Sequence, residues 1–144
     1  MLKSDLIQRK ISLIQDDLSK LAELGDLSLS EVLADFVKQA AVERLLERII
    51  TRAIDINEHL IAELADQNTS PPKDYRETFL RLSDLGLYPQ EFAGSIAKSV
   101  GTRNLLVHEY DKIDYVKVYA AIGDCLRDYH RYVDYLLSFL KKRE

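Results

Sequence analysis

The scarcity of backbone-breaking residues is the feature that most constrains this fold. The 144 residues include only five Gly and three Pro, well below the roughly 12% that these two residues contribute to an average protein. Sandwiches and barrels need many tight turns, which Gly and Pro usually supply. The sequence therefore predicts an all-α fold. Apolar residues make up 47% of the chain and charged residues 31%, a globular composition that argues against a disordered chain.

Charge and cysteine content narrow the class further. Twenty Lys and Arg against 24 Asp and Glu give a net charge of −4, which argues against coating nucleic acid by bulk charge but permits a local basic groove. The one cysteine, Cys125, cannot form an intrachain disulfide, which fits a reducing compartment. No apolar run approaches the length of a membrane span. We expect a cytoplasmic protein without membrane association, with one domain over residues 1–144.

Apolar residues at helical spacing predict about five helices in an up-and-down bundle. The predicted helices cover about residues 4–24, 28–66, 74–85, 89–107 and 115–141. The second segment is either one long helix or two in tandem with a kink near Lys38. Its apolar pattern is wider than one bundle face. We therefore expect a two-fold homodimer, buried mainly through this segment and the fourth helix.

The end of the fourth predicted helix concentrates residues that can carry chemistry. Arg103, Asn104, His108 and Tyr110 follow one another closely there. A His can take a proton from a ribose 2′-hydroxyl, and an Arg fork can stabilise charge on phosphate oxygens without a metal. Asn can orient the phosphate or the His. These residue types indicate RNA cleavage, and the alternative is a surface Arg–Asp pair beside a His at a helix end.

The spacing of Arg103 and His108 restricts how they act together. On an ideal helix, residues five apart point about 140° away from each other. The two side chains converge within one subunit only if the helix stops or loosens near His108. Alternatively, a two-fold dimer brings the Arg of one chain near the His of the other. In both arrangements Tyr110 falls in the loop that follows.

The same residues resemble the signature of the HEPN superfamily, and specifically of its HepT-like toxins. The HEPN signature is an Arg, usually followed by a polar residue, with a His a few positions later, and residues 103–108 match it as RNLLVH. The HepT-like extension adds a Tyr two residues after the His, where this chain has Tyr110. Residues 42–44, 54–60 and 75–79 are also similar to the family.

This resemblance implies the toxin of a type VII-like toxin–antitoxin pair. Such a toxin is a homodimeric, metal-independent endoribonuclease without a cofactor, in which the motifs of both subunits meet in a cleft. Arg103 and His108 would be catalytic, and Asn104 would support them. Tyr110 would receive AMP from a cognate minimal nucleotidyltransferase antitoxin, which silences the toxin. The alternatives are a catalytically silent HEPN module that binds nucleotide or the nucleotidyltransferase, and a purely structural helical dimer.

Three arginines on the second segment have competing interpretations. Arg44, Arg48 and Arg52 recur at four-residue spacing, so they share one face of a helix. They could track RNA phosphates beside the cleft. They could instead form a solvated face paired with acidic residues of the same helix, or pair across a dimer interface.

A second row on this segment has the spacing of a metal site. Asp55, His59 and Glu63 recur every four residues, which could hold a metal or form a hydrogen-bonded row along the helix. No second His-rich segment supplies further ligands, so we expect no metal site. Cys125 and His130 are too isolated to form a nucleophile pair.

Overall fold

The chain folds into packed α-helices. The computed structural model describes residues 4–143, without the side chain of Tyr110, and it contains no strand within that range. The helices are α1 (Ser4–Gly25), α2 (Leu29–Leu33), α3 (Phe36–Leu64), α4 (Tyr75–Asp84), α5 (Gln90–Ala97), α6 (Ser99–His108) and α7 (Tyr115–Lys142), with a 3₁₀ turn at Tyr110–Lys112. The all-α prediction is thus confirmed. None of the helices described is long and apolar enough to cross a membrane.

The second predicted segment contains two helices in tandem, which was one of the two predicted alternatives. The two helices divide at Asp35 rather than near Lys38. Ser28 and Glu31 form a capping box at the start of α2, with each side chain accepting from the other residue's N–H. Asp35 then accepts from the N–H groups of Val37 and Lys38. An Asp in this role starts a new helix, so α3 begins at Phe36.

The prediction of one unbroken fourth helix is wrong. Helices α5 and α6 meet at Lys98, where the N–H of Lys98 bonds to the carbonyl of Ser95 and the N–H of Gly101 bonds to that of Lys98. These tighter three-residue bonds replace the regular helical ladder. The hydroxyl of Ser99 donates to a carbonyl three residues earlier, at 2.7 Å, and lies 2.8 Å from the hydroxyl of Tyr129. The part of the chain described therefore has seven α-helices rather than about five.

Helix α3 is the central element of the fold. It packs against α1, α4, α6 and α7. Its buried residues lie on more than one face, and they include Leu46, Ile49, Ala53, Ile56 and Leu60. The wide apolar pattern of this segment is thus largely covered within one chain, so it does not by itself require a second chain. Because α3 touches both α4 and α6, it sets the positions of those two helices.

Candidate active site

The RNLLVH residues lie on α6. Arg103 is half-buried, whereas Asn104 and His108 are exposed. The helix runs to His108, and the N–H of Glu109 still bonds to the carbonyl of Leu105 at 3.1 Å. A regular helix directs Arg103 and His108 about 140° apart. This geometry does not favour convergence of the Arg103 and His108 side chains within one chain. The other predicted arrangement, in which the Arg of one chain meets the His of a second chain, stays a prediction.

The Arg103 side chain contacts two neighbouring helices. Its Nε donates to the hydroxyl of Thr51 on α3 at 3.2 Å. Its guanidinium carbon lies 5.0 Å from the centroid of the Tyr75 ring on α4, which is within cation–π range. The contact from Nη1 to the amide oxygen of Asn104 is longer, at 3.5 Å. Arg103 is therefore oriented mainly by α3 and α4, and Asn104 contributes a weak contact.

These residues line a shallow surface pocket of about 290 Å³. Its walls are Thr51, Arg52, Ile54, Asp55, Glu58, Tyr75 and Arg103. A guanidinium in an open pocket is available to a phosphate ligand. We refer to this as the Arg103 pocket.

A chain of buried hydrogen bonds fixes the Tyr75 backbone at the edge of the Arg103 pocket. The hydroxyl of Tyr132 on α7 donates to the side-chain oxygen of Asn57 on α3 at 2.6 Å. The amide nitrogen of Asn57 donates to the hydroxyl of Thr78 at 3.2 Å, and that hydroxyl donates to the carbonyl of Tyr75 at 2.6 Å. Because each of these polar groups has a hydrogen-bond partner, this series of hydrogen bonds forms a stable connection between α7, α3 and α4.

Arg48 and Arg52 both pair with Asp17, a residue that the motifs of the sequence do not single out. Asp17 of α1 is only 1% exposed, and its carboxylate lies 3.2 Å from Arg48 Nε and 2.6 Å from Arg52 Nη1. Arg44 instead pairs with Glu47 of its own helix at 3.4 Å. The expected pairing along α3 thus holds for Arg44 and not for the other two. An Asp three residues after Ile14, within the apolar stripe of α1, was the available signal.

The arginine row continues into the Arg103 pocket. Arg44, Arg48, Thr51 and Arg52 line a second shallow depression together with Glu47. Thr51 and Arg52 also line the Arg103 pocket. A row of guanidiniums therefore runs along α3 from Arg44 to Arg52 and reaches Arg103 of α6, with the carboxylates of Glu47, Asp55 and Glu58 along the same surface.

A further cation from α4 lies close to α6. Nη2 of Arg76 is 3.1 Å from the position that a Cβ would occupy on Gly101, so the glycine leaves room for this guanidinium. Arg76 is exposed and follows Tyr75 directly in the chain. The sequence of this segment resembles the family, but its pattern predicts no role for Tyr75 or Arg76.

Tyr110 begins the 3₁₀ turn that follows α6. Its side chain lies outside the part of the structure described, so its role as a modification site stays a prediction. The turn contains a hydrogen bond from the Lys112 N–H to the Glu109 carbonyl at 2.9 Å. The sequence predicts that Tyr110 follows the end of the helix, and the backbone agrees.

The other candidate residues do not assemble into a site. Asp55 is ion-paired with Lys10 of α1, and His59 Nε2 lies 3.9 Å from the Asp55 carboxylate. No group of three or more His, Cys, Asp or Glu among the described residues is placed to hold a metal. Cys125 is buried, and burial together with Asp128 and Asp124 raises the pKa of its thiol. A buried neutral thiol is a poor nucleophile.

Comparisons with known proteins agree on one family. Residues 14–136 match the family described as Ribonuclease HepT-like. The chain is 38% identical over 137 residues to the tRNA nuclease HepT of Aphanizomenon flos-aquae, covering 94% of this chain and 90% of that protein. It is 28% identical over 132 residues to the mRNA nuclease HepT of Shewanella oneidensis, covering 91% and 96%. Among solved structures, the tri-AMPylated Shewanella oneidensis HEPN toxin in complex with MNT antitoxin matches with a TM-score of 0.79 at 27% identity, covering 93% and 98%.

Proposed function

We propose that this chain, which belongs to the HepT-like ribonuclease family, cleaves RNA as the toxin of a type VII-like toxin–antitoxin pair. The observation that carries the proposal is Arg103, which Thr51 and Tyr75 orient in an open pocket on the helix that also presents His108. The relatives named as nucleases of tRNA and mRNA, and the HEPN toxin solved with its antitoxin, support the same activity.

The proposed reaction is attack of a ribose 2′-oxygen on the neighbouring phosphorus. The imidazole of His108 takes the proton of the 2′-hydroxyl. The 2′-oxygen then bonds to phosphorus, the bond from phosphorus to the 5′-oxygen breaks, and that oxygen takes a proton from water. Arg103 holds the non-bridging oxygens while negative charge builds on them, and Asn104 supports the phosphate. The products are a 2′,3′-cyclic phosphate and a free 5′-hydroxyl. Side chains supply both functions, so the reaction requires no divalent metal.

The proposed active site combines two chains. Arg103 and His108 diverge on a regular helix, so one phosphate meets both groups most directly when a two-fold dimer places one chain's His near the other chain's Arg. The stretch of α6 around them is exposed at Asn104, Val107 and His108, and so it is available to a second copy. We propose that the two copies of α6 face each other across a cleft.

The row of arginines along α3 is proposed to give RNA a path to this cleft. Arg44, Arg48 and Arg52 present guanidiniums beside the Arg103 pocket. Phosphate contacts of this kind provide affinity without sequence preference. Arg48 and Arg52 share the buried carboxylate of Asp17, so two guanidiniums stand over one negative charge there. We propose these three residues as RNA-binding residues.

Regulation by the antitoxin is proposed to act on Tyr110. This residue follows His108 by two positions, so a group attached to it would be close to the proposed site. Transfer of AMP from ATP to the phenol would release pyrophosphate and leave a phosphodiester with one negative charge. That charge would compete with RNA for the nearby arginine and repel the RNA backbone. The tri-AMPylated state of the Shewanella oneidensis toxin supports this form of silencing.

The test is cleavage of one labelled RNA in the presence of EDTA, with DNA of the same sequence as control. We expect wild-type protein to cut the RNA to a 2′,3′-cyclic phosphate, to leave the DNA intact and to be unaffected by the chelator. DNA lacks the 2′-hydroxyl that the proposed step requires. No cleavage of RNA, or equal cleavage of RNA and DNA, would overturn the proposal.

A further inference from the structure

An exposed aromatic ring lines the Arg103 pocket. Tyr75 is 42% exposed, whereas aromatic residues such as Phe79, Tyr129 and Tyr132 are fully buried. Among the aromatic side chains described, only Phe36 and Tyr75 are exposed. The Tyr75 backbone is also fixed, because the Thr78 hydroxyl donates to its carbonyl. A solvent-facing ring on a fixed backbone beside a phosphate-binding group suits an external planar ligand.

One guanidinium lies beside this ring, and a second extends from the next residue along the chain. Arg103 Cζ is 5.0 Å from its centroid, and Thr51 restrains the same guanidinium from the other helix. Arg76, the next residue in the chain, places its guanidinium close to Gly101 of α6. Single-stranded nucleic acids are bound where aromatic rings for the bases alternate with cations for the phosphates.

We propose that Tyr75 stacks against an unpaired nucleobase adjacent to the scissile phosphate and thereby positions the RNA strand. This inference rests on the proposed function. Arg103 holds the scissile phosphate, Arg76 holds a neighbouring phosphate, and the ring of Tyr75 binds the base of the nucleotide between them. A paired base is already stacked within its duplex and cannot reach the ring without being pulled out. Double-stranded RNA is therefore a poor substrate.

Stacking on Tyr75 predicts a specific change in kinetics. Loss of the ring in Tyr75→Leu is expected to raise KM about ten- to a hundredfold, the usual effect of removing one base–aromatic stack. Tyr75→Phe keeps the ring and is expected to lose far less than Tyr75→Leu. If Tyr75 only orients Arg103, Tyr75→Leu will raise the KM for a substrate with one abasic nucleotide next to the cleaved bond as much as it raises the KM for intact RNA.

The direct test uses fluorescence, because the chain contains no Trp. Tyr75→Trp places a single Trp in the Arg103 pocket, and its fluorescence can be excited separately from that of the remaining tyrosines. Phe36→Trp is the matched control, since Phe36 is exposed and lies about 22 Å along α3 from Thr51. The probes are a fully 2′-O-methylated single-stranded RNA that cannot be cleaved, the same strand in a duplex, and an abasic strand of equal length and charge.

We expect the single strand to quench Tyr75→Trp and to leave Phe36→Trp unchanged, and we expect the duplex and the abasic strand to quench neither. Absent quenching by the single strand, or equal quenching by the abasic strand, overturns the inference. Cleavage of ordinary RNA by the wild type is measured in parallel. Wild-type cleavage without base-dependent quenching refutes the role of Tyr75 alone, whereas a wild type that cuts no RNA refutes the proposed function.

Discussion

The guanidinium carbon of Arg103 lies 5.0 Å from the centroid of the Tyr75 ring, so residues far apart in the sequence form one surface. Arg103 comes from α6, Tyr75 from α4, and the hydroxyl of Thr51 on α3 holds the same guanidinium. The orientation of the proposed phosphate-binding group therefore depends on three helices. Substitutions outside the RNLLVH motif are expected to alter its function.

The pairing of Asp17 with two arginines predicts a non-additive loss of stability. Arg48→Ala or Arg52→Ala leaves the buried carboxylate with one cation, so we expect each to cost about 1 kcal/mol. The double variant leaves a buried charge without a partner and is expected to cost about 3 kcal/mol or more. Urea denaturation measures these differences. Arg44→Ala, whose partner Glu47 is on the surface, should cost about 0.5 kcal/mol or less. Strictly additive losses would contradict this account.

The hydrogen-bond chain below Tyr75 predicts the effect of removing one hydroxyl. Tyr132→Phe leaves the side-chain oxygen of the fully buried Asn57 without its donor. We expect a loss of about 1–3 kcal/mol in the free energy of unfolding, the cost of an unsatisfied buried polar group. Tyr135→Phe is the control, because the contact of its hydroxyl with Arg131 is long, at 3.5 Å. Equal stability losses for the two variants would count against the network.

Buried tyrosines predict unfolding at alkaline pH. Burial raises the pKa of the Tyr88, Tyr129 and Tyr132 phenols well above the ordinary value. An unfolded phenol titrates at about 10, so the folded state binds these protons more tightly. Their contribution to stability is complete below about pH 10 and decreases as pH rises towards the folded pKa values. We expect the tyrosinate absorbance of these groups to appear together with the loss of helical circular dichroism. Full ionisation of all eight Tyr residues in a protein that stays helical would be the opposite result.

If Tyr110 is the modified residue, its replacement by Phe should make the protein insensitive to the antitoxin. Tyr110→Phe lacks the phenol oxygen that would accept AMP, so it should stay toxic and folded when co-expressed with the nucleotidyltransferase. Intact-mass measurement should show wild-type protein heavier by one or more AMP units and the variant unshifted. A mass shift that persists in Tyr110→Phe would place the modification on another residue.

Helix boundaries were predictable where the signals are local. The limits of α1, α4 and α7 agree with the sequence prediction to within one residue, because caps act on residues two or three positions away. Asp114, for example, accepts from the N–H of Val116 at 3.0 Å. The break at Lys98 was not predictable from periodicity, since the apolar spacing of Phe92, Ile96 and Val100 continues across it. The contact of the Ser99 hydroxyl with Tyr129 on a distant helix carries no local signal either.

The candidate site was predictable only in its motif. Arg103, His108 and Tyr110 follow from spacing and resemblance within one short segment. The other residues of the site act through contacts between helices. The two partners are 35 positions apart in the chain for Asp17–Arg52, 28 for Tyr75–Arg103 and 25 for Arg76–Gly101. Such pairs carry no periodic signal, so the packing of the helices has to be known first.

The most direct test of the central claim is complementation between two inactive variants. We expect Arg103→Ala and His108→Ala each to lose at least about two orders of magnitude in RNA cleavage and to stay helical, because neither side chain is buried in the core. In a mixed dimer, the Arg of one chain and the His of the other would form one intact site. Random exchange makes half of the dimers mixed with one site each, so about a quarter of wild-type activity should return. A mixture as inactive as its parents would contradict a site shared between two chains, and full activity of either variant alone would remove that residue from the chemistry.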